Sequence, residues 1–237
     1  MKRKLFLLVT LIMLSITGQS QALWILIFGD KLSNDFMQSG INISITSSRL
    51  VGLDDSKAFY SWAIGSYTDF LLNDNWAISL EMTIKSPTGA SGLNKYYTNT
   101  YISDSLLTKQ NTSIETTNFA LPIYLKYHTK YLNFGIGPQF ILAYKSSKKY
   151  KATTFNNKNV TVIDNSKDLI NKFDMGLSAM VEFYLFPKKP QNSIKIGLEY
   201  FHGFMPALKD YSDATNSVVQ LKVGIPIVGK KDINKNN

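Results

Sequence analysis

Between Trp76 and Ser86 the side chains change character at every step: Trp76, Ile78, Leu80, Met82 and Ile84 alternate with Ala77, Ser79, Glu81, Thr83 and Lys85. Alternation with period two puts one chemistry on each face of an extended strand, and no helix satisfies it, because the helical period is 3.6 residues. The pattern recurs at Gly40 to Arg49, Phe59 to Phe70, Glu115 to Tyr127, Tyr131 to Lys145, Phe173 to Phe186, Ser193 to Phe204 and Ser217 to Val228, so the sequence predicts eight strands. The first is the most dilute, since Ser47, Ser48 and Arg49 interrupt its apolar face.

The connections alternate in length. Leu71 to Asn75, His128 to Lys130 and Pro187 to Asn192 are short, whereas Leu50 to Ala58, Pro87 to Ile114, Ser146 to Lys172 and Met205 to Asn216 are long. In an up-and-down antiparallel barrel successive connections emerge at opposite ends, so every long loop falls on one side. Short periplasmic turns opposite long extracellular loops, joined by alternating segments of roughly ten residues, are the outer-membrane arrangement. The expected fold class is therefore all-β, an eight-stranded antiparallel up-and-down transmembrane β-barrel with both termini in the periplasm.

The address agrees. Lys2, Arg3 and Lys4 precede an apolar run from Leu5 to Ile16 and a small-x-small step at Ser20, Gln21 and Ala22. This is the layout of a secretory signal peptide cleaved after Ala22. The rival reading, an uncleaved anchor from Leu5 to Phe28, is interrupted by the polar stretch Gly18 to Gln21. The domain expectation is a signal peptide at 1–22, a periplasmic segment at 23–39, the barrel at 40–228 and a polar tail at 229–237. No cysteine is present, which excludes a disulfide framework, a thiolate metal site and a lipidated N-terminal cysteine. Of the formal charge of +9, three units belong to Lys2, Arg3 and Lys4, so the mature chain keeps +6. For an exported chain with no nucleic-acid motif, that excess points to anionic lipid headgroups or glycans.

Alternation does not say which face meets lipid; the glycines do. Gly40, Gly65, Gly135, Gly137, Gly176, Gly197 and Gly224 all share the register of the polar face. A solvated face has no need of missing side chains, whereas the lumen of an eight-strand barrel is just wide enough for side chains to fill. The polar face is thus the crowded inside, and it would hold Glu81, Asp174, Glu182 and Glu199 against Lys85, Lys126, Lys195 and Lys222. Ionised groups withdrawn from water require partners, so a balanced set implies an ion-pair network and a plug rather than a pore. On the apolar face, Tyr60, Trp62, Phe119, Tyr144, Phe173 and Tyr200 gather toward the long loops, and Phe70, Trp76, Tyr127 and Phe183 toward the turns. Aromatic rings at both edges of an apolar band form the girdles of a lipid-facing surface. Pro122, Pro138 and Pro226 fall inside the strands and predict bulges or shorter strands there.

At Phe119-Ala120-Leu121-Pro122-Ile123-Tyr124-Leu125-Lys126-Tyr127, followed by Phe134-Gly135-Ile136-Gly137-Pro138, the chain resembles the porin-like, PorT-type outer-membrane β-barrel family of Gram-negative bacteria. The resemblance continues through Phe173-Asp174-Met175-Gly176-Leu177 and Gly197-Leu198-Glu199-Tyr200, and Glu81 stands where the family tends to carry a strand-three glutamate. It implies a cell-envelope barrel, handled by the barrel-assembly machinery, in which the proline strands are a family feature. It implies no activity. The chain departs from such barrels at its end, where Gly224-Ile225-Pro226-Ile227-Val228 runs into a polar tail instead of stopping on an aromatic residue.

The sequence holds no metal-ligand cluster, phosphate loop or nucleophile elbow and calls for no cofactor. Its one catalytic candidate is His202 with Asp210 or Asp213 and Ser212, against the plainer reading of a rim histidine. The long loop Ser146 to Lys172 carries Lys148, Lys149, Lys151 and Lys158 and is a candidate anion-binding loop for lipopolysaccharide phosphates or an acidic surface partner. The expected function is a non-enzymatic barrel in the cell outer membrane whose specific work lies in its long extracellular loops or in an envelope complex. The alternatives are an accessory subunit of a protein-secretion system, a lipid-modifying barrel enzyme, and a soluble exported lipocalin-like binder.

Overall fold

Each alternating segment forms a strand, and each strand finds an antiparallel partner on both sides. The computed structural model describes residues 37–93, 107–154, 158–164, 169–187 and 193–227. The strands are β1 (Met37–Val51), β2 (Phe59–Leu71), β3 (Trp76–Ala90), β4 (Leu107–His128), β5 (Leu132–Thr154), β6 (Asn159–Asp164), β7 (Phe173–Tyr184), β8 (Lys195–Leu208) and β9 (Tyr211–Pro226). Neighbours pair in the order β4-β3-β2-β1-β9-β8-β7-β5, and β4 pairs with β5 to close the ring, so the barrel has eight strands and no free edge. The seam joins the first strand to the last, from Gly40 opposite Pro226 to Val51 opposite Thr215. The expected signal peptide, most of the 23–39 segment and the 229–237 tail lie outside the described residues.

The turns at one end are tight because side chains satisfy their backbone. Asn73 Oδ1 accepts from the backbone N–H of Asn75 and of Trp76, each at 2.9 Å, and Thr129 Oγ1 accepts from Leu132 N at 3.0 Å. At the other end the structure corrects the loop expectation. The stretches Ser146 to Lys172 and Met205 to Asn216 are largely strand: β5 runs on to Thr154, β6 pairs with it from Lys148 opposite Asp164 to Thr153 opposite Asn159, and β8 and β9 meet around Lys209 and Asp210. A tilted strand crosses a bilayer in about 9–11 residues. At 22 and 23 residues, β4 and β5 are about twice that length, and with β6 they build a three-stranded sheet beyond the barrel.

Pro122 and Pro138 produce no bulge, whereas at Pro226 the strand stops short of the expected Val228, one of the two outcomes expected of these prolines. The β4–β5 ladder skips Ile123 and Tyr124 beside Pro122 and resumes at Leu125 opposite Ile136 in the same register. Pro138 pairs in step with Leu177, and Pro226 is the last residue of its strand. The register shifts lie elsewhere: β3 gains a residue between Thr83 and Ser86, β5 gains one where Thr117 opposes Lys145 but Asn118 opposes Ala143, β4 gains one between Leu107 and Lys109, and the β8–β9 register shifts around Pro206.

The faces are those of a lipid-embedded barrel. Ile43, Ile45, Leu80, Leu125, Ile136, Leu142, Leu198 and Leu221 point outward and are exposed, as are the girdle rings Tyr60, Trp62, Tyr144, Phe173 and Tyr200 at one level and Phe70, Trp76, Tyr127 and Phe183 at the other. The glycines line the inside. A Cβ on Gly40 would strike the Tyr67 ring, one on Gly224 would stand 3.4 Å from the same ring, and one on Gly135 would stand 2.8 Å from Met180 Cγ. The buried Tyr67 ring thus occupies the space that Gly40 and Gly224 leave empty, and Met180 that left by Gly135.

Candidate functional site

Two regions of the interior and one outside it carry the chemistry. Deep in the lumen, toward the short turns, parity brings inward-facing charged residues from several strands together. Lys126 Nζ lies 3.2 Å from Asp69 Oδ1, 3.4 Å from Glu182 Oε2 and 3.6 Å from Glu81 Oε1. Lys195 Nζ lies 2.6 Å from Asp69 Oδ2, and Lys222 Nζ lies 2.7 Å from Glu81 Oε2 while also pairing with Glu199. Neutral donors complete the set: Asn42 Nδ2 donates to Glu81 at 3.0 Å, Asn133 Nδ2 to Glu182 at 3.4 Å, and Ser178 Oγ and Gln220 Nε2 to Glu199 at 3.3 and 3.1 Å. Asp69, Glu81 and Lys126 are each exposed by 1% or less, so water cannot stand in for these partners.

Every strand of the ring contributes, from Asn42 on β1 and Asp69 on β2 through Glu182 on β7 to Lys222 on β9. Below this layer, His128 Nδ1 sits 2.8 Å from Asn133 Oδ1 and 3.0 Å from the Tyr184 hydroxyl.

Two of the eight expected network residues are elsewhere. Lys85 does not enter the lumen: the extra residue in β3 flips its parity, and its ammonium lies over the outward-facing Trp62 ring, 3.4 Å from the centroid. Asp174 is inside but nearer the long-loop end, accepting from Asn216 Nδ2 at 2.8 Å and from Met205 N at 3.3 Å, with no ion pair among the described residues. Asp69 takes its place in the network. Its signal was in the sequence, since Phe70 belongs to the outward girdle and its neighbour must therefore face in. The outcome is four carboxylates, Asp69, Glu81, Glu182 and Glu199, on three lysines, Lys126, Lys195 and Lys222.

The loop-side mouth has the opposite chemistry. Leu50, Leu53, Ala90, Leu93, Ile114, Ile170, Leu208 and Ala214 bury one another there, with Ala143, Leu169, Ala207 and Tyr211 packed around them. Ala120, Ile141, Phe201 and Val218 form a second apolar layer beneath. A cleft lined by Leu50, Ile114, Ile141, Asp174 and Asn216 measures about 20 Å³, enough for roughly one water molecule. Mouth and lumen are both packed shut.

The residues of the candidate anion-binding loop stand on a sheet instead. Lys148, Lys149 and Lys151 lie on β5 and Lys158 immediately before β6. Lys149 is committed to Glu115 of β4, with Nζ to Oε2 of 2.6 Å. The catalytic candidate is not assembled. His202 lies between Tyr200 and Phe204, with ring centroids 6.5 and 6.1 Å away, and its Nδ1 has no hydrogen-bond partner among the described residues. Ser212 Oγ donates to Asp213 Oδ1 at 3.2 Å in the exposed β8–β9 hairpin.

The match to a family model agrees with this architecture. The sequence matches the outer membrane protein beta-barrel domain family over residues 32–209. No curated protein matches it. Among solved structures it is similar to Ail, the attachment invasion locus protein of Yersinia pestis, with 13% identity over 80% of this chain and 97% of that one and a TM-score of 0.42. It is also similar to Neisserial surface protein A, with 7% identity, 80% and 96% coverage and a TM-score of 0.38. The N-terminal barrel domain of Pseudomonas aeruginosa OprF follows with 11% identity, 80% and 98% coverage and a TM-score of 0.32. With a closed ring of eight strands, an apolar outer band and a family match across most of its length, the chain belongs to the outer membrane protein beta-barrel domain family and is an outer-membrane β-barrel protein.

Proposed function

We propose that the barrel is a sealed, non-enzymatic platform and that its specific work, surface binding or an envelope function, is done by the extracellular sheet of β4, β5 and β6. The observation that carries this reading is the length of β4 and β5, whose outer halves lie beyond anything a bilayer crossing needs. Strand built above the membrane, with Lys148, Lys149, Lys151 and Lys158 along it, is an investment in recognition and contributes nothing to anchoring. The ion-paired lumen and apolar mouth support a sealed platform, and the commitment of Ser212 to Asp213, with His202 among the Tyr200 and Phe204 rings, supports a non-enzymatic one. Within the family, the strand Phe119 to Tyr127 and its Gly-Pro partner support a place among PorT-type barrels.

Complementation tests the reading. A strain lacking this protein is scored for secretion, permeability and surface adhesion, then supplied with the full chain or with a barrel in which residues 107–116 and 146–164 are replaced by a short turn. The trimmed barrel is expected to insert and fold, seen as heat-modifiable electrophoretic mobility, and to leave the defect uncorrected. Full rescue by the trimmed barrel would place the function in the barrel wall, and loss of rescue with His202→Ala alone would revive the enzyme.

A further inference from the structure

The bulges in β3 and β5 have a common product. Below its extra residue β3 points even-numbered side chains outward and odd-numbered ones, including Ser79 and Glu81, inward; above it Ser86 to Ala90 are all buried, and Ser86 and Thr88 pair opposite the buried Asn118 and Thr116, with Asn118 Nδ2 donating to Thr88 Oγ1. On β5 the inward residues are Asn133, Gln139 and Ile141 below the extra residue, then Ser146 and Tyr150 above it. In each strand the parity change falls beside a lysine that unbroken alternation would have sent into the lumen. Lys85 is delivered to the outer surface over the Trp62 ring, and Lys145 is delivered to the outer surface beside Tyr144. The bulges sit at one level, because the Tyr144 hydroxyl reaches across β4 and donates to the Ile84 carbonyl at 3.1 Å.

A third lysine lies beside Lys145. The Lys172 carbonyl accepts from Ala143 N at 2.7 Å, and Tyr144, Lys145, Ser146, Ile170 and Lys172 line an open cleft of about 180 Å³. Lys85, Lys145 and Lys172 make no ion pair with a carboxylate among the described residues, whereas the three lumen lysines and Lys149 all do. The patch lies at the loop-side girdle, where Trp62 and Tyr144 are both 52% exposed. A lysine on the lipid face is costly at the bilayer midplane and close to neutral at the interface. Bulges that expel lysines at this depth put unneutralised cations level with the headgroups of the outer leaflet.

We propose that Lys85, Lys145 and Lys172, framed by Trp62 and Tyr144, form a lipid-facing clamp for the phosphate groups of an outer-leaflet glycolipid of the lipopolysaccharide type. The chemistry is ammonium on phosphomonoester, with the exposed aromatic faces against sugar rings and acyl-chain roots. This deepens the reading of outer-membrane lipid as a partner. It depends on the membrane placement and not on the role of the β4–β5–β6 sheet, so the trimmed-barrel experiment and the one below fail independently.

The purified full barrel is reconstituted in phosphatidylcholine vesicles alone or with lipid A, with lipid A stripped of phosphate, or with phosphatidylglycerol, and separately with inorganic phosphate in solution. Thermal unfolding and retained lipid A are measured for the wild type, for Lys85→Gln/Lys145→Gln/Lys172→Gln, and for Lys209→Gln, an exposed lysine of the β8–β9 turn. The wild type is expected to gain stability from lipid A and little from the other additions. The triple variant should fold normally by heat-modifiable mobility and bind lipid A roughly tenfold or more weakly, a loss of attraction shared over three lysines at the surface. Lys209→Gln should behave as wild type. Equal stabilisation by dephosphorylated lipid A, by phosphatidylglycerol or by free phosphate would overturn the glycolipid clamp. So would an equal loss in Lys209→Gln or unchanged lipid A retention in the triple variant.

Discussion

Within the bilayer the barrel is polar inside and apolar outside, and above it the same strands are apolar inside and polar outside. On β1, Ser44 is buried beside the exposed Ile43 and Ile45, but higher up Leu50 is buried beside the exposed Arg49. On β9, Lys222 faces in and Leu221 out, whereas near the hairpin Ala214 faces in and Asp213 out. On β8, Glu199 and Leu198 are succeeded by the buried Leu208 and the exposed Lys209. Each of these three strands reverses its sign as it leaves the lipid, because burial is defined by whatever solvent lies outside. Against hydrocarbon, the apolar face belongs outward and the lumen must neutralise its own charges. Against water, the ordinary hydrophobic effect resumes and fills the mouth. One molecule therefore contains two folding regimes stacked along an axis, and each is expected to respond to a different kind of damage.

The largest effect should come from the hub of the ionic layer. Lys126→Met leaves Asp69, Glu81 and Glu182 short of a countercharge in a dry lumen, and urea titration of the reconstituted barrel should show a loss of about 3–5 kcal/mol. Next is the lipid face: Leu80→Arg should cost about 2–4 kcal/mol in the same assay, and a neutral result would turn β3 inside out.

The mouth should respond as a soluble core does. Leu208→Ala, at a position only 1% exposed, should cost about 2 kcal/mol, and hydrogen exchange should quicken at Leu50, Leu93 and Ile170 while amides beside Glu81 and Lys126 stay protected. Loss of protection throughout the lumen would mean that the two regimes are one cooperative unit. The smallest effect belongs to the outer sheet, where Lys149→Ala removes a partly exposed pair with Glu115 and should change stability by less than about 1 kcal/mol.

The reversal of sign also explains what could be read from the sequence. The eight membrane-crossing segments, their faces and both aromatic girdles were legible because hydrocarbon on one side and a crowded lumen on the other enforce strict alternation. Beyond the girdle the phase inverts and turn-like residues such as Asn111, Ser113 and Ser147 enter, so the outer halves of β4 and β5 read as loop although their backbone ladder continues. Lys85 was misplaced for a related reason: a bulge is one residue of backbone geometry with no residue type of its own, and parity counted through it gives the wrong face. Asp69 was missed because it stands next to a turn rich in Asn and Asp, where a carboxylate looks ordinary.

The ionic layer also sets an order of events during biogenesis. Lys222 belongs to the last strand, and until β9 reaches β1 and β8, Glu199 has no ammonium and Glu81 has only the longer contact to Lys126. An unsealed sheet in the bilayer therefore carries a carboxylate that nothing neutralises, and every partly inserted form is penalised until the seam shuts. Closure and neutralisation are the same event, so the chain commits late and all at once.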